Sequence, residues 1–123
     1  MLSRTVGAVI TNIDGKLLMQ PAGGKAEKGL WSIPWGVVGK GESPKEALLR
    51  KMLDEFGIVP REVAFLGMLQ NEYGEQHIFS ARSGRIKAAG IGLFSMRELP
   101  GIRLSPESRR IIELFAKSIR PKD

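Results

Sequence analysis

Apolar and polar positions along this chain change period several times, and each change marks a predicted element. Arg4 to Thr11 is an apolar, β-branched run of the kind that forms a buried strand. Asn12-Ile13-Asp14-Gly15 follows it. Asp-Gly accepts the positive φ of a tight hairpin turn, so Lys16 to Gln20 is expected to return as a second strand. Pro21 to Gly29, with Gly23, Gly24 and two lysines, reads as a mobile loop. Trp31-Ser32-Ile33-Pro34 reads as a short extended segment. The period then becomes helical. Ser43 is placed as an N-cap, Pro44 at the first helical position and Glu46 at the third, which together make a capping box. Leu48, Leu49, Met52, Leu53 and Phe56 form the apolar stripe expected to face the core, and Gly57 is placed to end the helix.

Val63 to Leu69 and His77 to Ala81 read as strands joined by the polar turn Asn71-Glu72-Tyr73-Gly74-Glu75, and Ile91 to Ser95 as one more strand. Ser105 and Pro106 repeat the cap-plus-proline start. Ile111, Ile112, Leu114, Phe115 and Ile119 are the expected buried face of a last helix. Strands on both sides of one capped helix, with a second helix at the end, predict an α/β sandwich formed by residues 1–123 as one domain.

At 123 residues, such a domain buries roughly 65% of its unfolded surface and needs no staples. The chain has no cysteine, which excludes disulfides and thiolate metal sites and suits a reducing cytoplasm. No apolar run approaches the ~20 residues of a bilayer span, so no membrane partner is expected. The net charge of +6 is unevenly placed: residues 1–81 balance to zero, and residues 82–123 supply the whole excess. A basic third of this kind attracts phosphates through its long-range field, or simply solvates the surface.

Residues 36 to 58 read GVVGKGESPKEALLRKMLDEFGI. Gly36, Glu42, Arg50, Glu55, Gly57 and Ile58 fall on the spacing G-x5-E-x7-R-E-U-x-E-E-x-G-U, where U is a bulky aliphatic. In this run the chain resembles the Nudix hydrolases. The early Gly-Ala-Val-Ile strand, the Trp-Ser-Ile-Pro lead-in and the late Leu-Phe-Ser-Met-Arg-Glu-Leu-Pro segment extend the likeness over nearly the full length. The resemblance implies an α/β/α sandwich with a mixed sheet. It also implies metal-dependent hydrolysis of the diphosphate linkage in a nucleoside diphosphate derivative. In that chemistry the box carboxylates hold Mg2+ or Mn2+ against the diphosphate, and the cation activates water for attack on phosphorus. On the same resemblance, a backbone carbonyl near Gly36 helps to ligate the metal. Glu42 pairs with Arg50 to brace the loop after Gly36, and Gly57 completes the structural part of the box.

Two box positions depart from the pattern. Lys51 stands where a Glu follows the box Arg, and Asp54 replaces the first of the later Glu pair. At ~100° per residue, Lys51, Asp54 and Glu55 share a polar face opposite the apolar stripe, with Lys51 between the two acids. That face carries a formal charge of −1 where three carboxylates would carry −3, so weak binding of Mg2+ or Mn2+ is expected. Asp54 and Glu55 remain as metal ligands and catalytic carboxylates. Lys51 is expected to bridge to both acids, at ~0.2–0.5 kcal/mol per pair, or to contact a substrate phosphate as a point charge. Arg82, Arg85 and Lys87 are candidates for holding distal phosphates, and Trp35 for stacking on a base if it is not simply packed. Between Gln76 and Arg97 there is no Asp or Glu. Glu75 is thus the candidate distal carboxylate, against the plainer reading of a turn residue, and His77 reads as a half-buried strand residue.

Three functions follow. The first is a hydrolase of a nucleotide diphosphate-type small molecule, with turnover lowered by Lys51. The second is a domain that binds a nucleotide or phosphorylated ligand without turning it over, with Lys51 in place of metal. The third, a nucleic-acid adaptor on residues 82–123, has weak support, because Phe94 and Phe115 read as core whereas stacking on single strands needs exposed aromatics. Either a monomer or a homodimer is compatible with the chain.

Overall fold

The computed structural model describes residues 3–22, 29–71, 74–86 and 90–119; residues 23–28 of the expected loop, together with Glu72, Tyr73 and Lys87, lie outside it. Its organising strand is β1 (Ser3–Thr11), the predicted apolar run. β1 lies parallel to β6 (Gly74–Arg82) from Ser3 on Gly74 through Thr11 on Arg82. Its other side is shared by two antiparallel partners. β2 (Leu17–Pro21) meets the Thr11 end, and β4 (Trp35–Val37) meets Thr5 to Gly7. β5 (Arg61–Asn71) borders β6 as an edge, while β3 (Trp31–Ser32) and β7 (Gly92–Phe94) both pair with β2. The result is the expected mixed sheet, with seven strands.

Alternation along the strands divides the apolar side chains between two cores. Val6, Ala8, Ile10, Leu18, Phe79 and Ala81 face α1 (Pro44–Phe56), which contributes Ala47, Leu48 and Met52. Val9, Leu17, Met19, Ile33 and Ile78 face α2 (Pro106–Leu114), which contributes Ile111 and Ile112 and is followed by the short α3 (Ala116–Ile119). Helices on both faces of one sheet make the α/β/α sandwich. Among the described residues no helix is long and apolar enough to cross a membrane.

The start and stop of α1 are as the sequence predicts. The Glu46 amide donates to Ser43 Oγ at 3.1 Å, the Ser43 amide donates to Glu46 Oε1 at 3.0 Å, and Gly57 takes the left-handed conformation at φ 64°. Its docked face contains the predicted Leu48, Met52 and Phe56 but departs from the predicted stripe at Leu53. Ala47, Leu48 and Met52 are almost wholly buried, whereas Leu53 is 55% exposed. The helix is rotated so that the box side of its wheel meets the sheet, and Leu53, about 100° from Met52, points to solvent. Leu114, also expected inside, is 55% exposed because α2 ends there and Phe115 leaves the helix as its C-cap. The side chain of Ile119 falls outside the described residues.

Two further boundaries differ. Asn71 belongs to β5, and Gly74 and Glu75 belong to β6, because parallel pairing with Ser3 and Arg4 extends the strand through the expected turn. Gly74 sits at φ 135°, and a Cβ there would stand 2.0 Å from the Ser3 carbonyl oxygen. Val37, expected in the loop after Gly36, instead ends β4, with Gly36 at its middle opposite Val6. The loop proper begins after it and is tied down by the predicted brace. Arg50 donates to both Glu42 oxygens at 2.7 and 3.0 Å and to the Val37 carbonyl at 3.2 Å, while the Gly39 amide donates to Glu42 Oε1 at 2.8 Å. The Arg50 guanidinium, helped by the Gly39 N–H, holds the Glu42 carboxyl down at about 2.

Two outcomes are expected. Met52→Ala should cost about 2–5 kcal/mol in urea unfolding, as for a fully buried side chain, and Leu53→Ala only about 0.5 kcal/mol; equal costs would contradict the rotation of α1. Because the folded state lowers the Glu42 pKa from 4.5, its contribution is complete above pH 4.5 and is lost as pH falls to about 2. The gap in thermal midpoint between the native chain and Glu42→Gln should therefore close across that window. A constant gap would show that the ionised carboxylate is not what holds the loop.

Candidate active site

β4 is a partition with chemistry on both sides. Gly36 turns its missing side chain toward α1, and the Lys51 stem fills the space: a Cβ on Gly36 would stand 3.2 Å from Lys51 Cδ. Lys51 therefore lies on the packed flank of the helix and not on a face opposite the core. Its side chain is only 18% exposed, and its Nζ is ion-paired with Glu55, itself 48% exposed. The expected pair of bridges is thus one bridge, at i,i+4, with Lys preceding Glu, the less favoured order on a helix. Packing of the stem on backbone, with the charged head held at the rim, fixes the ammonium more firmly than the ion pair alone would.

Asp54 is exposed and lies one turn beyond Arg50, whose guanidinium is already committed to Glu42. Each of the two retained acids therefore has a cation one turn back. Among the described residues no three His, Cys, Asp or Glu side chains converge in a group that could hold a metal ion. Hard divalent cations take six or more oxygen ligands, several of them carboxylates. Two carboxylates on α1, one of them held by an ammonium, do not fit the full metal site implied by the box.

The other predicted site residues are dispersed. Arg82 lies at the far end of β6, five positions beyond His77, which is about 16 Å at ~3.3 Å per residue, and pairs with Glu62 at 3.0 Å. Arg85 is exposed in the segment after β6, next to Ile86, which packs on the α1-side core. Lys87 lies outside the described residues. Glu75 is a strand residue and not a turn residue. One of its oxygens is 3.6 Å from His77 Nε2, a buried nitrogen without a hydrogen-bond partner.

On the opposite side of β4, Trp35 and Val37 line a cavity of about 590 Å3 between the sheet and the start of α2. Thr5, Gln76, Ser108 and Ile111 also line it, and none of Lys51, Asp54 or Glu55 does. Trp35, singled out in the sequence, is therefore a wall of a ligand-sized space. Gln76 and Ser108 were not singled out. The signal available was an amide on the same strand face as Ile78, where a further apolar residue would be expected.

Comparison with known proteins agrees with this architecture. The family model described as NUDIX domain matches residues 1–115. An RNA pyrophosphohydrolase of Gluconacetobacter diazotrophicus is 40% identical over 60 residues, covering 44% of this chain and 36% of that protein. The chain spans about a third of the length of the curated relatives of this kind that it matches. Among solved structures, a nudix hydrolase family member from Chromobacterium violaceum superposes with a TM-score of 0.78 at 20% identity, over 100% of this chain and 82% of the other. The NUDIX domain of Shewanella oneidensis NrtR, solved in complex with ADP ribose, superposes with a TM-score of 0.75 at 17% identity, over 98% and 90%. With the braced box, the two-faced core and a family match over almost all of its residues, the chain belongs to the Nudix family.

Proposed function

We propose that this domain acts on the diphosphate linkage of a nucleoside diphosphate derivative, in a divalent-metal-dependent hydrolysis that Lys51 slows. The observation that carries the reading is the Lys51–Glu55 ion pair seated over Gly36, beside an intact Glu42–Arg50 brace. The brace keeps the loop after Gly36 in the form the box requires, and Asp54 and Glu55 are retained. The ammonium competes with any cation for Glu55, which lowers metal affinity before any substrate arrives. The relatives named RNA pyrophosphohydrolase and the neighbour bound to ADP ribose support a diphosphate-bearing ligand.

The same ion pair favours a second reading, in which the Lys51 ammonium takes over the phosphate contact and the ligand is held without turnover. The two readings separate in one set of measurements. Phosphate or nucleotide release from ADP-ribose and a panel of nucleoside diphosphate derivatives should require Mn2+ or Mg2+ and fall to background in Glu55→Gln. Lys51→Glu, which restores a third carboxylate, should raise the rate by about tenfold or more, roughly 1.4 kcal/mol of barrier. No release with either metal, combined with binding in EDTA that disappears in Lys51→Ala, would replace hydrolysis with the second reading.

A further inference from the structure

β5 is the outer margin of the sheet. Among the described residues β6 is its only strand partner, so its other side presents unpaired backbone N–H and C=O groups. It is 11 residues long, about twice the common strand length. Sheet margins of this kind are kept from pairing by shortness, Lys or Pro. From Val63 to Asn71 this one has no charged residue and no proline, in a chain with a formal charge of +6. Two large apolar side chains stand out from it, Phe65 at 57% and Met68 at 45% exposure. α1 does not cover them, because its contacts with the sheet are concentrated on β1 and β4.

A bulge ordinarily blunts such a margin, but here it does the reverse. Phe65 lies opposite Phe79 and Met68 opposite His77, with a shift in register between them. Phe79 and His77 are two apart on β6 and so point the same way. The extra residue in β5 therefore brings Phe65 and Met68, three apart in sequence, onto the α1 face together. Phe65 is held there edge-on to Phe79, with ring centres 5.5 Å apart.

We propose that β5 is an interface for a second copy of this chain, the two β5 strands pairing antiparallel about a two-fold axis so that one sheet runs through both domains. A single register satisfies both faces. It sets Phe65 opposite the second copy's Met68, twice by symmetry, in an aromatic–thioether contact. On the α2 face it sets Ala64 opposite Leu69, which flank Ser80 and Gln76 of β6. Glu62 then falls opposite the uncharged Asn71 of the other copy, so no like charges meet. At ~3.3 Å per residue the uncharged run is about 30 Å long. With side chains on both faces it covers roughly 600 Å2 per copy, at the low end of specific interfaces. That size gives a dimer that forms with rising concentration, not an obligate one. Neither the box nor the cavity takes part in the contact.

Sedimentation velocity of the full chain, from low to high micromolar concentration, should show the average mass rising from one chain toward two. Phe65→Lys should stay monomeric throughout. Met68→Lys should do the same, and covers the case in which loss of the Phe65–Phe79 contact harms folding. The absence of cysteine lets the register be read directly. Opposite Cβ atoms stand ~4.5–5.5 Å apart, within reach of a disulfide after a small shift. Mild oxidation of Phe65→Cys mixed with Met68→Cys should therefore give a linked dimer, whereas either variant alone should stay largely unlinked. A monomer at every concentration, a dimer indifferent to both lysine variants, or linking no faster in the mixture than in either variant alone would overturn the proposal.

Discussion

The antiparallel pairing of β4 with β1 sets Val37 on Thr5, Gly36 on Val6 and Trp35 on Gly7, and everything that could face a ligand is positioned from those three pairs. Backbone amides on either side extend the clamp, Ala8 to the Pro34 carbonyl and Val38 to the Arg4 carbonyl, both at 3.0 Å. Because side chains alternate along a strand, a strand this short can present glycine to one helix and aromatic and aliphatic side chains to the other. The Lys51 stem needs that glycine in order to lie flat. The cavity needs Trp35 and Val37 on the opposite side. A register slip of one residue would exchange the two faces and disrupt both at once.

The charges of the box fall into two classes with different physical strength. Glu42 accepts three N–H donors, two from one guanidinium and one from the Gly39 backbone, so its ionised form is held by fixed geometry. Lys51 and Glu55 form a single contact near the rim of the helix, where solvent competes. The firm pair shapes the loop, and the loose pair occupies the face where chemistry would take place. A ligand or cation thus meets a rigid frame carrying an exchangeable charge.

Much of this could be read in the chain. The cap of α1 was legible because Ser43, Pro44 and Glu46 act locally, and the brace was legible through the family likeness. Strand β1 was legible because its apolar run has one plausible use. The rotation of α1 was not, because Leu49 and Leu53 are as apolar as Leu48, and only the sheet beneath decides which of them is covered. The extension of β6 through Gly74 and Glu75 comes from a partner seventy residues away in sequence, which no local pattern encodes. Arg82 looked like a phosphate ligand by composition, yet strand direction carries it to the opposite end of the sheet. Gln76 carries no signal in the sequence, because a lone amide in a strand has no motif; its place in a cavity wall appears only once the strands are paired.

Gly74 opens the strand that carries Gln76, and the Ser3 carbonyl lies where any larger residue would place its first carbon. Descendants of this chain therefore have almost no freedom to remodel that rim of the cavity by point mutation at position 74. Change in the cavity's shape must come from the neighbouring wall, at Thr5 and Gln76 or along the first turn of α2, while the parallel seam beneath stays fixed.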